Sequence, residues 1–235
     1  MLDNSLDILC IGETKLADSY QDSQFYLPGY TIPYRLDGKN EHSGGIMVYI
    51  NENIPSKQLK RITISSDFEV IPIEINLRKS KWLILSIYRP DWVGEIHCIE
   101  CINSIIDYYE KYDNVMVLGD FNMKPCNPNL CTLMESQALH NLINSPTCFK
   151  NPKGSCIDLI LTNKKHGHKF SQTFEVGFND FHVMIYTMLK TTFTKLPPKE
   201  IKYRSSRNYD KYVFYNDLRL NLSYAANGNY NQCQQ

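Results

Sequence analysis

The residues best suited to chemistry in this chain stand at the ends of short apolar runs. In "NVMVLGDFNMKP" (114–125) the run Val115–Leu118 stops at Gly119-Asp120-Phe121-Asn122. The period-two geometry of an extended chain puts Asp120 and Asn122 on one side, a carboxylate beside a carboxamide. Such a pair suits a water, a phosphate or a metal ion. Comparable positions recur. Glu13 follows the run Ile8–Gly12, Tyr88 closes "WLILSIY" just before Arg89-Pro90, and Asp158 opens "IDLILT". Asp180 and His182 lie in "FNDFHVMIY", just before a further run. Taken singly, a strand-end acid is a turn or cap residue and a tyrosine is packing. Taken together, they are the parts for metal-assisted phosphodiester hydrolysis. A hard cation such as Mg²⁺ needs oxygen ligands, and Glu13 offers a carboxylate. The attacking water needs a base, and a second acid can be one. Donors from His, Asn and Tyr suit the nonbridging oxygens. A carboxylate beside the histidine would fix its tautomer and favour its cation.

The elements that must position these groups are legible in the pattern. Strands are predicted at Ile8–Gly12, Gly45–Ile50, Phe68–Leu77, Trp82–Tyr88, Val115–Gly119, Ile157–Thr162 and Val183–Leu189. Pro72 marks an edge strand or a bulge, and "LRKSKW" a polar hairpin turn. In "HCIECINSIIDYYEKY", Ile99, Ile102, Ile106 and Tyr109 recur at helical steps. "NPNLCTLMESQALHNLI" is a second helix, with Asn129 as its N-cap. Strands with two helices interposed make an α/β or α+β chain. From Thr191 the texture changes to a Pro-containing basic linker, a short helix in "YDKYVFYNDLRLNL" and a polar tail expected to be disordered. The domain is thus expected at 1–190 and the linker with tail at 191–235.

Composition narrows the class. The 235 residues are 43% hydrophobic and 21% charged, with formal net charge +0. That is ordinary for a globular protein and argues against a strongly basic nucleic-acid coat, not against local grip on DNA. There is no apolar run long enough to span a membrane and no basic-then-apolar leader, so an intracellular location is expected. The eight cysteines are expected to be reduced thiols. Cys98-x-x-Cys101 lacks a second Cys or His pair at zinc spacing and reads as two small helix residues.

The segments "CIGETKL", "SGGIMVYI", "SIYRP", "LGDFNM", "SPTCFKNPKGSCIDLILTN" and "NDFHVMIY" occur in an order and spacing that resembles the endonuclease/exonuclease/phosphatase superfamily. More narrowly, the chain looks like the apurinic-type endonuclease domain that precedes the reverse transcriptase of non-LTR retrotransposons. The match runs from Asp7 to Lys190. The resemblance implies a four-layer α/β/β/α sandwich of two face-to-face mixed sheets with outer helices. It implies Mg²⁺, or Mn²⁺ in its place, held by Glu13 and Asp180, and DNA as partner. It gives Tyr88 to the phosphate and its acid neighbour, Asp120 to the water, and Asn122 to the scissile phosphate. Asp158 would pair with His182, which would stabilise the pentacovalent phosphate. Thr147 matches a position that packs near the site, and Ser155 a hydroxyl near the phosphate. Lys164, Lys165 and Lys169, in the basic loop "NKKHGHKF", would lie beside the DNA backbone. Action on DNA would place the protein in the nucleus.

Two departures from the family pattern stand out. The usual adjacent acid and histidine are separated here, in Asn179-Asp180-Phe181-His182, so Phe181 falls at the acid position unless a bulge restores Asp180. The family's first strand, with an Asn near the metal, has no counterpart in the twelve residues before Glu13. An open seam beside Ile8–Gly12, aggregation and weak nicking are the expected consequences, as for a truncated element that has also lost its reverse transcriptase. Competing readings are a phosphoinositide phosphatase or sphingolipid phosphodiesterase on the same scaffold, and an inactive relic.

Overall fold

The computed structural model describes residues 6–38, 43–60, 68–77, 80–177, 181–190 and 210–226, with the side chains of 220–226 excepted. The chain divides into two compact units, Met1–Leu196 and Pro197–Gln235. The first is built on a six-stranded sheet of order β4-β5-β6-β7-β9-β8. Its strands are β4 (Ser56–Gln58), β5 (Glu69–Leu77), β6 (Ser80–Tyr88), β7 (Asn114–Asp120), β8 (His140–Asn141) and β9 (Asp158–Thr162). β6 and β7 run parallel and the other neighbours antiparallel, so the sheet is mixed. The second layer holds β1 (Ile8–Gly12), β2 (Tyr34–Leu36) and β3 (Ile46–Ile50) in the order β1-β3-β2, and a separate pair, β10 (His168–Phe174) with β11 (Met184–Leu189).

The near-continuous apolar runs of β6 and β7 follow from burial on both faces. Leu83, Leu85, Ile87, Val115 and Val117 face a core shared with α1 (Glu95–Tyr108) and α2 (Pro128–Ser136). Trp82, Ile84, Tyr88 and Met116 face the other core, with Ile46, Val48 and Ile50 of β3. This is the α/β sandwich that the family resemblance implied, and it falls within the α/β or α+β class read from the pattern. Among the described residues of this unit, α-helices cover one face only. The outer side of β3 is closed by the loop before β2, where the Tyr49 hydroxyl donates to Phe25 O at 2.8 Å. The second layer is antiparallel rather than mixed.

The sequence missed the short strands β2, β4 and β8, and also β10, which it read as part of a basic loop. The N-cap of α2 is Asn127, not Asn129: its Oδ1 accepts from Asn129 N at 2.9 Å and from Leu130 N at 3.2 Å. Cys98 and Cys101 are buried on α1, and burial pushes the Cys98 thiol up to about 12, as suits packing rather than metal binding. In the second unit the expected helix is present as α3 (Lys211–Ala226), longer at its C-terminal end than the sequence suggested. The predicted linker at 191–209 and the tail beyond Ala226 lie outside the described residues.

Two local constraints shape the end of the sandwich that carries the site. Gly119 has φ +140°, and a Cβ there would lie 1.9 Å from Ile87 O, so β6 and β7 approach only because this residue is glycine. We expect Gly119→Ala to cost at least about 1–3 kcal/mol from strain alone. A thermal melt indistinguishable from the parent would remove this constraint. The second is an edge. Among the described residues β1 pairs with β3 alone and β11 with β10 alone, and Ile11 of β1 is 39% exposed. An unpaired apolar edge templates association. Ile11→Lys should therefore reduce aggregation, read by light scattering, at an unchanged melting temperature.

Candidate active site

The candidate residues come together because of strand direction and side-chain parity. β6 and β7 are parallel and in register, so Tyr88 lies opposite Asp120 at their common end. β9 is antiparallel to β7, so its first residue, Asp158, lies opposite Asp120. Positions 82, 84 and 88 of β6 and 116 of β7 face the second layer, and alternation carries Asp120 to that same face. There the C-terminal end of β1 delivers Glu13. The Tyr88 hydroxyl donates to Glu13 Oε1. Burial, and then that hydrogen bond, push the Tyr88 phenol up, so it stays a proton donor.

Asp120, Asp158 and His182 offer side-chain atoms that all lie within 4.8 Å of one another. His182 Nδ1 is 3.1 Å from Asp158 Oδ2 and 3.3 Å from Oδ1. The pairing expected between these residues, 24 apart in sequence, is present. The hydrogen bond to Asp158 raises the His182 pKa, against the opposing effect of burial. Asp120 is raised to about 7, first by burial and then by the charge of Asp158; the Asn122 backbone N–H and His182 oppose the rise. An acid of this kind takes and releases a proton near neutrality.

Asn122 meets Asp120 by a route the sequence did not suggest. The strand ends at Asp120, and Asn122 sits in the left-handed region at φ +47°. Its N–H donates to Asp120 Oδ1 at 2.8 Å, an Asx turn in place of the extended period-two spacing. Its Nδ2 donates to Arg89 O at 2.9 Å. Thr147 is fully buried, and its Oγ1 accepts from Ile157 N at 3.1 Å and Asp158 N at 3.0 Å. Its carbonyl accepts from Val183 N at 2.9 Å. It therefore fixes the start of β9 and the approach to His182, rather than facing a ligand. Ser155 and Asn122 line a cavity of about 490 Å³ together with Lys124, Asn127 and Ile157.

Other expectations change. Lys164 and Lys165 follow Thr162, which pairs with Met116, so β9 carries them to the end of the sheet remote from Asp158. Lys169 lies at the start of β10, and it is the far end, Phe174, that pairs with Met184 near His182. The three lysines stand away from the site because each follows or begins a strand that runs the wrong way. Asp180 lies outside the described residues, and Phe181, directly before His182, is exposed. Two residues escaped sequence reasoning. Arg89 is buried against the 121–122 turn, and Glu69, opposite Tyr88 in β5, accepts from Gly45 N at 2.7 Å. A charged residue at a strand end is the one signal either carries.

Glu13 fits a hard cation: one oxygen is held by Tyr88 and a second belongs to the same carboxylate. The Asp120–Asp158–His182 group is instead knit by a hydrogen bond through the imidazole, which suits proton handling more than an oxygen cage.

Comparison with known proteins bears on this geometry. The endonuclease domain of TRAS1, a telomere-specific non-LTR retrotransposon, aligns at TM-score 0.58 and 12% identity over 70% of this chain and 81% of that one. The 3'-5' exonuclease NExo from Neisseria meningitidis aligns at TM-score 0.60 and 13% identity, covering 80% and 90%. D. rerio TDP2 complexed with single-strand DNA product aligns at 0.53 and 10%, covering 77% and 84%. At such identities the likeness is one of fold. A search of curated protein sequences finds no match. The family model, however, matches residues 1–179, well over half of the chain, and with this fold and this corner of acids the chain belongs to the Endonuclease/Exonuclease/phosphatase family.

Proposed function

We propose that this domain hydrolyses phosphodiester bonds of DNA in the manner of a retrotransposon nicking endonuclease, with Mg²⁺ as cofactor and Mn²⁺ able to replace it. Family membership supports hydrolysis of phosphate esters in general. The convergence of Asp120, Asp158 and His182 within 4.8 Å supports the reading most strongly, with Glu13 and Asn122 attached to the same corner. The narrower assignment to DNA rests on the order of motifs "SIYRP" and "LGDFNM" and on the fold likeness to the TRAS1 domain.

The roles follow from position and protonation. Asp120, ionised, accepts the proton of the attacking water. His182, held by Asp158, which favours its cationic form, neutralises charge growing on the phosphoryl oxygens. Asn122 donates to a nonbridging oxygen from a turn held by its own hydrogen bonds to Asp120 and Arg89. Ser155, across the cavity, supplies a hydroxyl to the same ligand. Tyr88 orients Glu13, the residue that would hold the metal, and Asp180 is a second candidate ligand. The metal, when bound, supplies Lewis-acid polarisation of the phosphate.

Asp120→Asn should lower plasmid nicking by about 10²–10⁴-fold, measured with supercoiled DNA and Mg²⁺. A phosphoinositide turned over in preference to plasmid would transfer the assignment to the lipid branch. Retained nicking in a folded Asp120→Asn protein would remove the assigned base. The same variant has a thermodynamic signature. Because the folded pKa of Asp120 lies above its unfolded value of 3.8, its contribution to stability is full below that value and is lost as pH rises to about 7. In metal-free buffer at pH 8, Asp120→Asn should melt higher than the parent; an equal or lower melting temperature would contradict the buried, repelled carboxylate.

The activity profile follows the opposite limb. The base works only when ionised, so kcat/KM should rise with pH through about 7. Asp158→Asn removes the second cause of the elevation and should shift this limb to lower pH while depressing the maximum. A limb that stays in place would show that Asp158 does not act on Asp120.

A further inference from the structure

Arg89 brings a guanidinium into the interior directly after Tyr88. The residue is 4% exposed. Its Nε donates to Phe121 O at 2.6 Å and its Nη2 to Asn122 O at 2.6 Å. Its Nη1 donates to Val93 O and, at 3.4 Å, to Pro90 O. All four acceptors are main-chain carbonyls. The backbone of Arg89 joins the same group. Its N–H donates to Asp120 O at 3.0 Å, and its carbonyl accepts from Asn122 Nδ2 at 2.9 Å. One residue therefore touches Asp120, Phe121 and Asn122 in turn.

The chemistry of the turn explains why a guanidinium stands there. Where β7 gives way to the left-handed Asn122, the carbonyls of Phe121 and Asn122 turn inward and need donors. A planar fork supplies several donors at fixed angles, which an ammonium on a flexible stem does not. The same fork reaches Val93, just before α1, so the turn is tied to the loop 90–93. The carboxamide of Asn122 is also oriented. One N–H of Nδ2 is directed to Arg89 O, which fixes the direction of the other.

We propose that Arg89 is a positioning residue for the phosphate-handling pair Asp120 and Asn122: it locks the backbone turn and the carboxamide in the orientation a phosphate oxygen needs. The proposal rests on the function proposed above. It acts through Asp120 and Asn122 and involves no contact with the substrate. Misplacing a reacting or orienting group by about 1 Å costs on the order of 10²-fold in rate. The loss should fall on kcat, because the turn matters most where charge develops.

The test compares the full chain with Arg89→Lys and Arg89→Met. In ligand-free protein, the side-chain amide of Asn122, assigned by its disappearance in Asn122→Asp, should be protected from exchange in the parent and lose protection in Arg89→Lys. With supercoiled plasmid and Mg²⁺, Arg89→Lys should lower kcat about 10²-fold with KM near the parent's. Arg89→Met should do no better than Arg89→Lys. If Arg89→Met does not fold, Arg89→Lys decides alone. An unchanged Asn122 amide with parental kcat overturns the proposal, as does a rise in KM at constant kcat. Unfolding of both variants also overturns it, by assigning Arg89 to stability alone. Absence of nicking by the parent defeats the functional reading separately, and the amide measurement still judges Arg89.

Discussion

The site depends on the close parallel approach of β6 and β7 at Gly119. A side chain at that residue would collide with Ile87 O, and the register that sets Tyr88 beside Asp120 would open. The contact continues one residue further, where Arg89 N–H meets Asp120 O. Everything else is hung from this junction. β9 enters antiparallel on the far side of β7 and lays Asp158 against Asp120, and β1 sets Glu13 under the Tyr88 hydroxyl. Central strands packed on both faces hold side chains at fixed distances more precisely than loops do.

The assembled corner is electrostatically costly. Asp120 and Asp158 repel across a partly dry space, and Glu13 adds to the repulsion on Asp120. His182 relieves part of it by pairing with Asp158. Burial of Asp120 first, and the remaining repulsion second, show as an elevated Asp120 pKa, which a fold selected for stability alone would not retain. The same strain gives a carboxylate able to exchange protons near neutrality, so the cost and the chemistry have one origin. Thr147 and Arg89 hold the corner by main-chain hydrogen bonds and add no negative charge to it.

The surroundings of the corner differ from those the sequence suggested. The basic loop that suggested a DNA track lies at the opposite end of β9 from Asp158. The cavity beside Asn122 is lined by Lys124 and Glu95 as well as by Asn127 and Ser155, and Phe181 stands exposed next to His182.

The sequence by itself determined the strands buried on both faces, because Val115–Leu118 and Trp82–Tyr88 are apolar without alternation. It also determined the candidate acids, because a carboxylate that ends such a run is exposed to notice by its type alone. It carried the partnership of Asp158 and His182 only through the order of motifs. Short edge strands such as β4 and β8 carry too few residues for a period to emerge, and Lys169 looked like loop because β10 buries no side chain fully and exposes Phe170 and Phe174 alongside Lys169 and Gln172, so it shows no apolar-in, polar-out alternation. Only the tertiary structure decided that Asn122 reaches Asp120 through a left-handed turn, since φ at a single residue leaves no pattern in sequence. It alone showed Arg89 gripping that turn. Its donors meet four carbonyls, those of Pro90, Val93, Phe121 and Asn122, and main-chain acceptors look alike beneath every side chain. Strand direction settled the rest, because whether a residue lies near the acids or a sheet's length away depends on which way its strand runs, and that is fixed by pairing between distant segments.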